Sequence, residues 1–493
     1  MIKNEDIKKF YQRLYDAIKN SGALAYRNFG ETHSYPELFS NMLKINSALE
    51  GMKGEKIVMY ADKSFLTYGA IFSILLSGNT WVPLSLEMPE TRLLEIFKQV
   101  EPKLVFHNVC LPSLPKEYLK KRGIDTVDIN QIIAGDKRRD FADISFDKDD
   151  VAYIMFTSGS TGVPKGVPMT HENYINFINN CMEILPFKKN EVFSDYHDFA
   201  FDISIFYLFC CPLTEGAFAP VINDSDKIVP LRFIQENKIT VWSSVPSVIS
   251  RIQSLNLGAG IKTDIKIMFL CGEPFKLKIL DYCLNNMGIE NVYNFYGLTE
   301  TAVENFYHRC SPEDLIEYEP FGYVPIGRPL PGNEISVTQD KELLLNGCQI
   351  TPGYLKGEGL EKFEMIDNTL WFHTGDIVEE HKGVYFCKGR LDSQVKLKGY
   401  RVELMDIEVH AKRFPGVDEA VCFVKEKGNK KALACAAKPK KGSELDAEEL
   451  RGFIVKYLPH YMVPGKIFIL EDMPVNRNGK IDRRKIKEIF ENK

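Results

Sequence analysis

Apolar residues recur at helical spacing from the start of the chain. Ile7, Phe10, Leu14 and Ile18 predict a helix within MIKNEDIKKFYQRLYDAIKN. Strand-like and helix-like segments then alternate. KIVMYAD, TWVPLS and KLVFH read as short buried strands, and TRLLEIFKQVEP reads as a helix. This rhythm predicts a parallel sheet flanked by helices. It resumes with ITVWSSVP, IKIMFLCGEP and NVYNFYG. Between about 322 and 390 the pattern changes: EISVT, ELLLNG, WFHTGDIVEE and GVYFCKG are short strands with turns, which predict a small antiparallel barrel or sheet. From 393 the chain reads as a small α+β unit. QVKLKGYRVE is strand-like, LMDIEVHAKRF is a helix, and EAVCFVKE and KALACAAKPK could pair as strands.

The length of 493 residues leaves room for two to four domains or subdomains at roughly 100–200 residues each. Hydrophobic content of 44% and charged content of 26% are ordinary for a soluble globular protein. A net charge of -5 argues against a nucleic-acid binder, and the basic run KIDRRKIK reads as a solvated helix face. No signal peptide is visible, and the apolar runs AIFSILLSG and ISIFYLFCCPL fall short of the ~20 residues that span a bilayer, so no membrane insertion is expected. The eleven cysteines form no C-x-x-C pair, which argues against a zinc site and a disulfide framework. Free thiols in a reducing cytoplasm are the expectation. The nine histidines show no H-x-x-x-H spacing for a metal.

The stretch YIMFTSGSTGVPKG, from Tyr153 to Gly166, runs from a buried strand into hydroxyls, glycines and one lysine. Amides freed by glycine, hydroxyl donors and a cation suit a phosphate. The Walker A spacing is absent, and taken alone the stretch reads first as a plain surface turn. Four further segments change its weight: NFYGLTETA (294–302), WFHTGDIV (371–378), GRLDSQVKLKGYRVELMDIE (389–408) and NRNGKIDR (476–483). In this order the set strongly resembles the adenylate-forming superfamily of acyl- and aryl-CoA synthetases, luciferases and amino-acid adenylation domains. The resemblance covers nearly the whole chain.

It implies an α/β fold: a large N-terminal domain (1–391) of parallel-sheet α/β subdomains plus a small β-barrel, then a small mobile α+β C-terminal lid (392–493). It also implies two half-reactions. A carboxylate attacks the α-phosphate of ATP, and a thiol then displaces AMP from the acyl-adenylate. By the resemblance, Thr157, Ser158, Gly159, Ser160, Thr161, Gly162 and Lys165 would hold the β- and γ-phosphates. Tyr296 would stack on adenine, Thr299 would touch the α-phosphate, and Glu300 would bind Mg²⁺. Asp376 would take the ribose hydroxyls, with Arg390 nearby. Lys480 would stabilise the transition state from the lid. Rotation about Asp392 would withdraw Lys480 and bring KLKGYR to the site, with Gly399 lining a pantetheine tunnel.

Asp202, in HDFAFDISIF, matches the aspartate that pairs with the substrate ammonium in the amino-acid-activating branch; a helix cap is the bland alternative. The branch's pocket positions fall on Asp202, Ile203, Phe206, Ser243, Phe269, Cys271, Phe295, Val303 and Glu304. TVWSSVPS and MFLCGEP are similar to the D-alanine–carrier protein ligase subfamily, where a cysteine at the place of Cys271 helps select a small D-amino acid. Two features depart from the pattern. Leu298 stands where the branch usually has proline. Glu304 is awkward beside alanine: it could meet a polar or cationic substrate group, but the reading favours a solvent-facing side chain. The chain ends soon after Lys480 with no carrier module, so the expected thiol acceptor is a separate phosphopantetheinyl carrier protein. The alternative enzyme is an acyl- or aryl-CoA ligase, against which Asp202 argues.

Overall fold

The protein is described by a computed structural model that covers residues 2–141, 144, 146–159, 162–255, 262–357, 359–392, 394–397, 399–427, 430–474 and 481–491. Ser160, Thr161 and Lys480 lie outside the described residues.

Two sheets carry the N-terminal part. In the first, the strands run Asp125–Asp128, Leu104–His107, Lys56–Tyr60, Thr80–Pro83, Val151–Thr157 and Lys165–Thr170, parallel except for the last pair. The second has nine strands. Its parallel centre is Asn291–Tyr296, Ile267–Leu270, Val241–Ser244, Val192–Asp195, Ala217–Pro220 and Leu24–Asn28, and antiparallel strands close both ends. One continuous core binds the inner faces of both sheets to the helices Asn4–Asn20, Tyr35–Asn46, Phe65–Leu76, His171–Ile184 and Ser204–Leu213. Separate cores cover the two outer faces. The apolar runs AIFSILLSG and ISIFYLFCCPL therefore form buried helices between the sheets, where apolar residues all round a helix are satisfied.

The expected small barrel is present as an open half-barrel. Asn333–Val337, Glu342–Gly347, Thr369–His381 and Phe363–Ile366 pair in that order, and Val384–Arg390 adds to the long strand Thr369–His381. Downstream, QVKLKGYRVE is a hairpin and not one strand: Gln394–Leu397 pairs with Tyr400–Glu403 around Gly399, whose φ of 87° is a turn conformation that suits glycine. The helix Leu404–Lys412 follows. Val417–Lys427 and Lys430–Pro439 pair antiparallel, and Lys466–Ile469 joins in parallel. Two core clusters of this C-terminal part draw only on residues beyond 394.

The parallel strands Val241–Ser244, Ile267–Leu270 and Asn291–Tyr296 all end at one edge, and the loops beyond their carboxyl ends carry Val245, Cys271, Glu273 and Glu300. Such an edge is where open α/β sheets place ligands. The C-terminal part sits over it. Gly399 N donates to Glu273 Oε1 at 2.8 Å, and Thr91 Oγ1 donates to the Lys456 carbonyl at 2.9 Å. A buried ion pair, Arg92 Nη2 to Asp406 Oδ2 at 3.0 Å, joins the helix Glu90–Val100 to Leu404–Lys412. Removing one partner of such a pair costs about 3–5 kcal/mol. Arg92→Ala should therefore release the C-terminal part from the edge. The expected outcome is faster limited proteolysis between residues 390 and 400 with little change in the melting of the N-terminal core; unchanged cleavage would contradict the pairing's role.

Candidate active site

Glu300 lies at the centre of the edge. It sits on the short turn Thr299–Thr301, just past the strand Asn291–Tyr296, and is buried. Tyr354 OH donates to its Oε1 at 2.9 Å. Arg401 Nη1, from the C-terminal hairpin, donates to its Oε2 at 2.7 Å. Burial alone would push the carboxyl upward. Arg401, with the hydrogen bonds, outweighs burial and holds Glu300 below the usual range. A buried carboxylate already matched to a cation fits the hard cation expected there.

The opening loop borders this centre. The strand Val151–Thr157 delivers Thr157, and Ser158 Oγ donates to the Arg401 carbonyl at 3.4 Å. A Cβ on Gly159 would lie 2.1 Å from the Val163 carbonyl oxygen, so only glycine fits that turn. Gly162, at φ 80°, packs against Val409 and His410 of the C-terminal helix. Lys165 Nζ stands 5.5 Å from the Tyr354 ring centroid. The loop, Glu300 and the C-terminal hairpin thus meet in one cleft.

A second cluster flanks it. Tyr296 is buried and its hydroxyl donates to Asp376 Oδ2 at 2.6 Å. The strand register sets Asp376 opposite Arg390, whose Nη1 donates to Asp376 Oδ1 at 2.9 Å. Arg390 also clamps Asp392 with two bonds, Nε to Oδ1 at 2.7 Å and Nη2 to Oδ2 at 2.9 Å. Burial would raise the Asp392 carboxyl, but Arg390 prevails and holds it low. Lys396 Nζ lies 5.2 Å from the Tyr296 ring centroid, so the hairpin also covers this cluster.

The third cluster is the inner face of the nine-stranded sheet. Alternation along the strands brings Ser243, Phe269, Cys271 and Phe295 to that face. Phe206, from the helix Ser204–Leu213, stacks on Phe269 at 4.2 Å, and Phe269 stacks on Phe295 at 4.0 Å. This apolar stack is buried, as is Ile203 beside it. Asp202 does not cap the helix that follows, whose N-cap is Ile203 with no side-chain bond. It is half-buried and lies beside Thr299. Burial raises its carboxyl, with Glu300 adding to the rise, so a cation at Asp202 would relieve an unfavourable charge.

Glu304 requires a correction. The expectation of a solvent-facing side chain fails: Glu304 is 4% exposed, and its Oε2 has no hydrogen-bond partner among the described residues. Backbone geometry drives it inward. Ala302 and Val303 take φ of 53° and 74°, a conformation that costs a non-glycine residue about 1–3 kcal/mol. The buried Gln349 holds the bend, its Nε2 lying 3.3, 3.2 and 2.8 Å from the carbonyls of Thr301, Ala302 and Glu304. Gly297 accommodates it, since a Cβ there would lie 2.3 Å from the Val303 oxygen. The Cys271 thiol stands against Glu304. Burial pushes the Glu304 carboxyl up to about 8.

Sequence reasoning assigned no role to Arg401, Tyr354 or Gln349. Arg401 stood inside the quoted KLKGYR, so its signal was present. Tyr354 and Gln349 lie in a segment without a motif.

Comparison with known proteins gives the family and the fold. The AMP-binding enzyme family matches residues 16–355, and its C-terminal domain matches residues 406–480. A D-alanine--D-alanyl carrier protein ligase of Staphylococcus epidermidis is 29% identical over 480 residues, covering 95% of this chain and 96% of that protein. The protein of the same name from Staphylococcus aureus is 28% identical over 499 residues, covering 98% and 99%. Among solved structures, the Vibrio cholerae adenylation domain AlmE, in complex with glycyl-adenosine-5'-phosphate, superposes with a TM-score of 0.82 at 22% identity, covering 98% of both chains. The o-succinylbenzoate CoA synthetase of Bacillus subtilis gives 0.83 at 20% identity, covering 97% and 98%. At these identities the two structures speak for the fold.

The buried Glu304 has a thermodynamic signature. Between about pH 4.5 and about 8 the folded chain holds a proton that the unfolded chain has released. Stability therefore falls as pH rises through this window, by up to ~1.4 kcal/mol per pH unit. Glu304→Gln removes that slope. Its melting temperature relative to the unsubstituted protein should climb steadily from pH 5 to pH 8 in thermal denaturation; a difference independent of pH would contradict the burial.

Proposed function

Because this chain belongs to the AMP-binding enzyme family, we propose that it is an ATP-dependent ligase that adenylates a small amino acid, D-alanine first among candidates, and loads it on a separate carrier protein. The observation that carries this reading is the single cleft in which the opening loop, Glu300, the Tyr296–Asp376 pair and the aspartate Asp202 meet.

In the first half-reaction a carboxylate oxygen of the amino acid attacks the α-phosphorus of ATP. The P–O bond to the β-phosphate breaks, and pyrophosphate leaves with the bond's electrons. Two anions must meet, so positioning and charge neutralisation are what the protein supplies. Asp202 orients the substrate by its ammonium. Tyr296 and Asp376 hold adenine and ribose, with Arg390 fixing the Asp376 carboxylate. The loop from Thr157 to Lys165, including Ser160 and Thr161, cradles the β- and γ-phosphates. Thr299 serves the α-phosphate, and Lys480 the developing charge. Mg²⁺ held by Glu300 would supply further neutralisation of the phosphate charge. Ile203, Phe206, Phe269, Phe295 and Val303 shape a small apolar pocket, and Cys271 bears on the enantiomer accepted.

In the second half-reaction a phosphopantetheine thiol loses its proton, its sulfur bonds to the acyl carbon, and AMP departs with the electrons of the broken C–O bond. We place the division of labour at residues 1–391 and 392–493, with Asp392 at the hinge and Gly399 beside the thiol's path. The contacts of Gly399 with Glu273 and Val245 and of Arg401 with Glu300 support a pose suited to this second step. Eleven free cysteines suit the cytoplasm, and among the described residues no helix is long and apolar enough to cross a membrane.

Pyrophosphate exchange with D- and L-alanine, followed by loading of a phosphopantetheinylated carrier, tests the reading. Amino-acid-dependent exchange is expected, and Asp202→Ala should lower kcat/KM for the amino acid by at least ~100-fold through loss of the ammonium's partner. Exchange supported only by acids without an amino group would contradict it.

A further inference from the structure

The pocket contains more polarity than an alanine methyl can use. Glu304 is buried, and its Oε2 lacks a partner among the described residues. Ser243, on the same sheet face as Phe269, is 1% exposed, and its hydroxyl is likewise without a partner there. Ser243 pairs in register with Phe269, the middle ring of the Phe206–Phe269–Phe295 stack, and Glu304 stands against Cys271. An unpartnered buried polar atom is costly, and an apolar residue at either position would avoid the cost. The strained Ala302–Val303 bend, held by Gln349, spends further free energy to turn Glu304 inward. Lys396 exerts its charge on Glu304, but it belongs to the C-terminal hairpin and lies over the Tyr296 ring, so it is no fixed partner. Cys271, the thiol against Glu304, is too weak a donor to satisfy a carboxyl.

We propose that the preferred substrate is a short α-amino acid whose β-carbon carries a hydrogen-bond donor, an amine before a hydroxyl, and that Glu304 is the group that selects it. Asp202 receives the α-ammonium, and the Glu304 oxygen receives the β-substituent above the aromatic floor. This rests on the amino-acid-activating reading above, but it replaces D-alanine, the first candidate by likeness to the curated relatives, with a substrate that the buried Glu304 can pair. A site built around a buried hydrogen-bonding group discriminates strongly against the analogue that lacks the partner, because the protein group is then left unpaired.

The test is pyrophosphate exchange with both enantiomers of alanine, serine and 2,3-diaminopropionate, run on the full chain and on Glu304→Gln and Glu304→Val. The unsubstituted enzyme should use 2,3-diaminopropionate or serine with kcat/KM at least about tenfold above alanine of the same hand. Glu304→Val should lose that substrate by about 100-fold or more and improve on alanine. Glu304→Gln, close in shape, should keep serine and lose the diamine. Alanine preferred by the unsubstituted enzyme would overturn the proposal, and that arm needs no variant to fold. A preference that persists within threefold in both variants would overturn it as well, since it would not pass through Glu304. No exchange with any amino acid would refute the amino-acid reading itself, and this proposal with it.

Discussion

The Arg401–Glu300 ion pair is the contact on which the arrangement of the molecule turns. It ties the hairpin of the C-terminal part to the carboxylate at the centre of the sheet's carboxyl edge, at 2.7 Å and largely out of solvent. A buried pair of this kind adds little net stability compared with apolar packing, yet removing one member leaves an uncompensated charge. The C-terminal part therefore cannot leave the cleft cheaply unless another cation takes its place on Glu300. On the proposed reading, Mg²⁺ is that cation. The same carboxylate then serves two partners in turn, and the two halves of the reaction become mutually exclusive states of one site. Arg92–Asp406 and Gly399–Glu273 stabilise the same docked pose from either side of the cleft.

The proposed substrate pocket follows from a different constraint, the two-residue period of the strands. Once Val241–Ser244, Ile267–Leu270 and Asn291–Tyr296 lie parallel, Ser243, Phe269, Cys271 and Phe295 must share the inner face. The phenylalanines stack into a floor, and the buried Ser243 shares their face. Asp202 and Glu304 lie close enough to feel one another's charge, both with carboxyls raised first by burial. Two such groups beside an apolar floor define a pocket that asks for positive charge or donors at more than one point.

Much of this was legible in the sequence where the signal is local. The periodicity of KIVMYAD or IKIMFLCGEP is a property of a few neighbouring residues, and both became strands. The motifs singled out Tyr296 and Asp376 for the same reason, since both sit in short segments, and the structure brings the two together. Non-local structure was harder to read. QVKLKGYRVE looked like one strand because its side chains alternate through the turn, and only Gly399 marks the reversal. Tyr354 and Gln349 act on residues tens of positions away, and nothing adjacent announces them. Glu304 was misjudged because glutamate's usual preference for water is an average; the Ala302–Val303 bend, fixed by Gln349, overrides it.

The alternation at Glu300 is tested most directly by measuring the two half-reactions separately on Lys480→Ala and Arg401→Ala. Lys480→Ala should lose adenylation by orders of magnitude and still transfer a preformed adenylate to the thiol. Arg401→Ala should do the reverse, retaining pyrophosphate exchange while thiol transfer fails. Equal loss of both half-reactions in each variant would contradict the account, because it would mean that the two residues serve one and the same state.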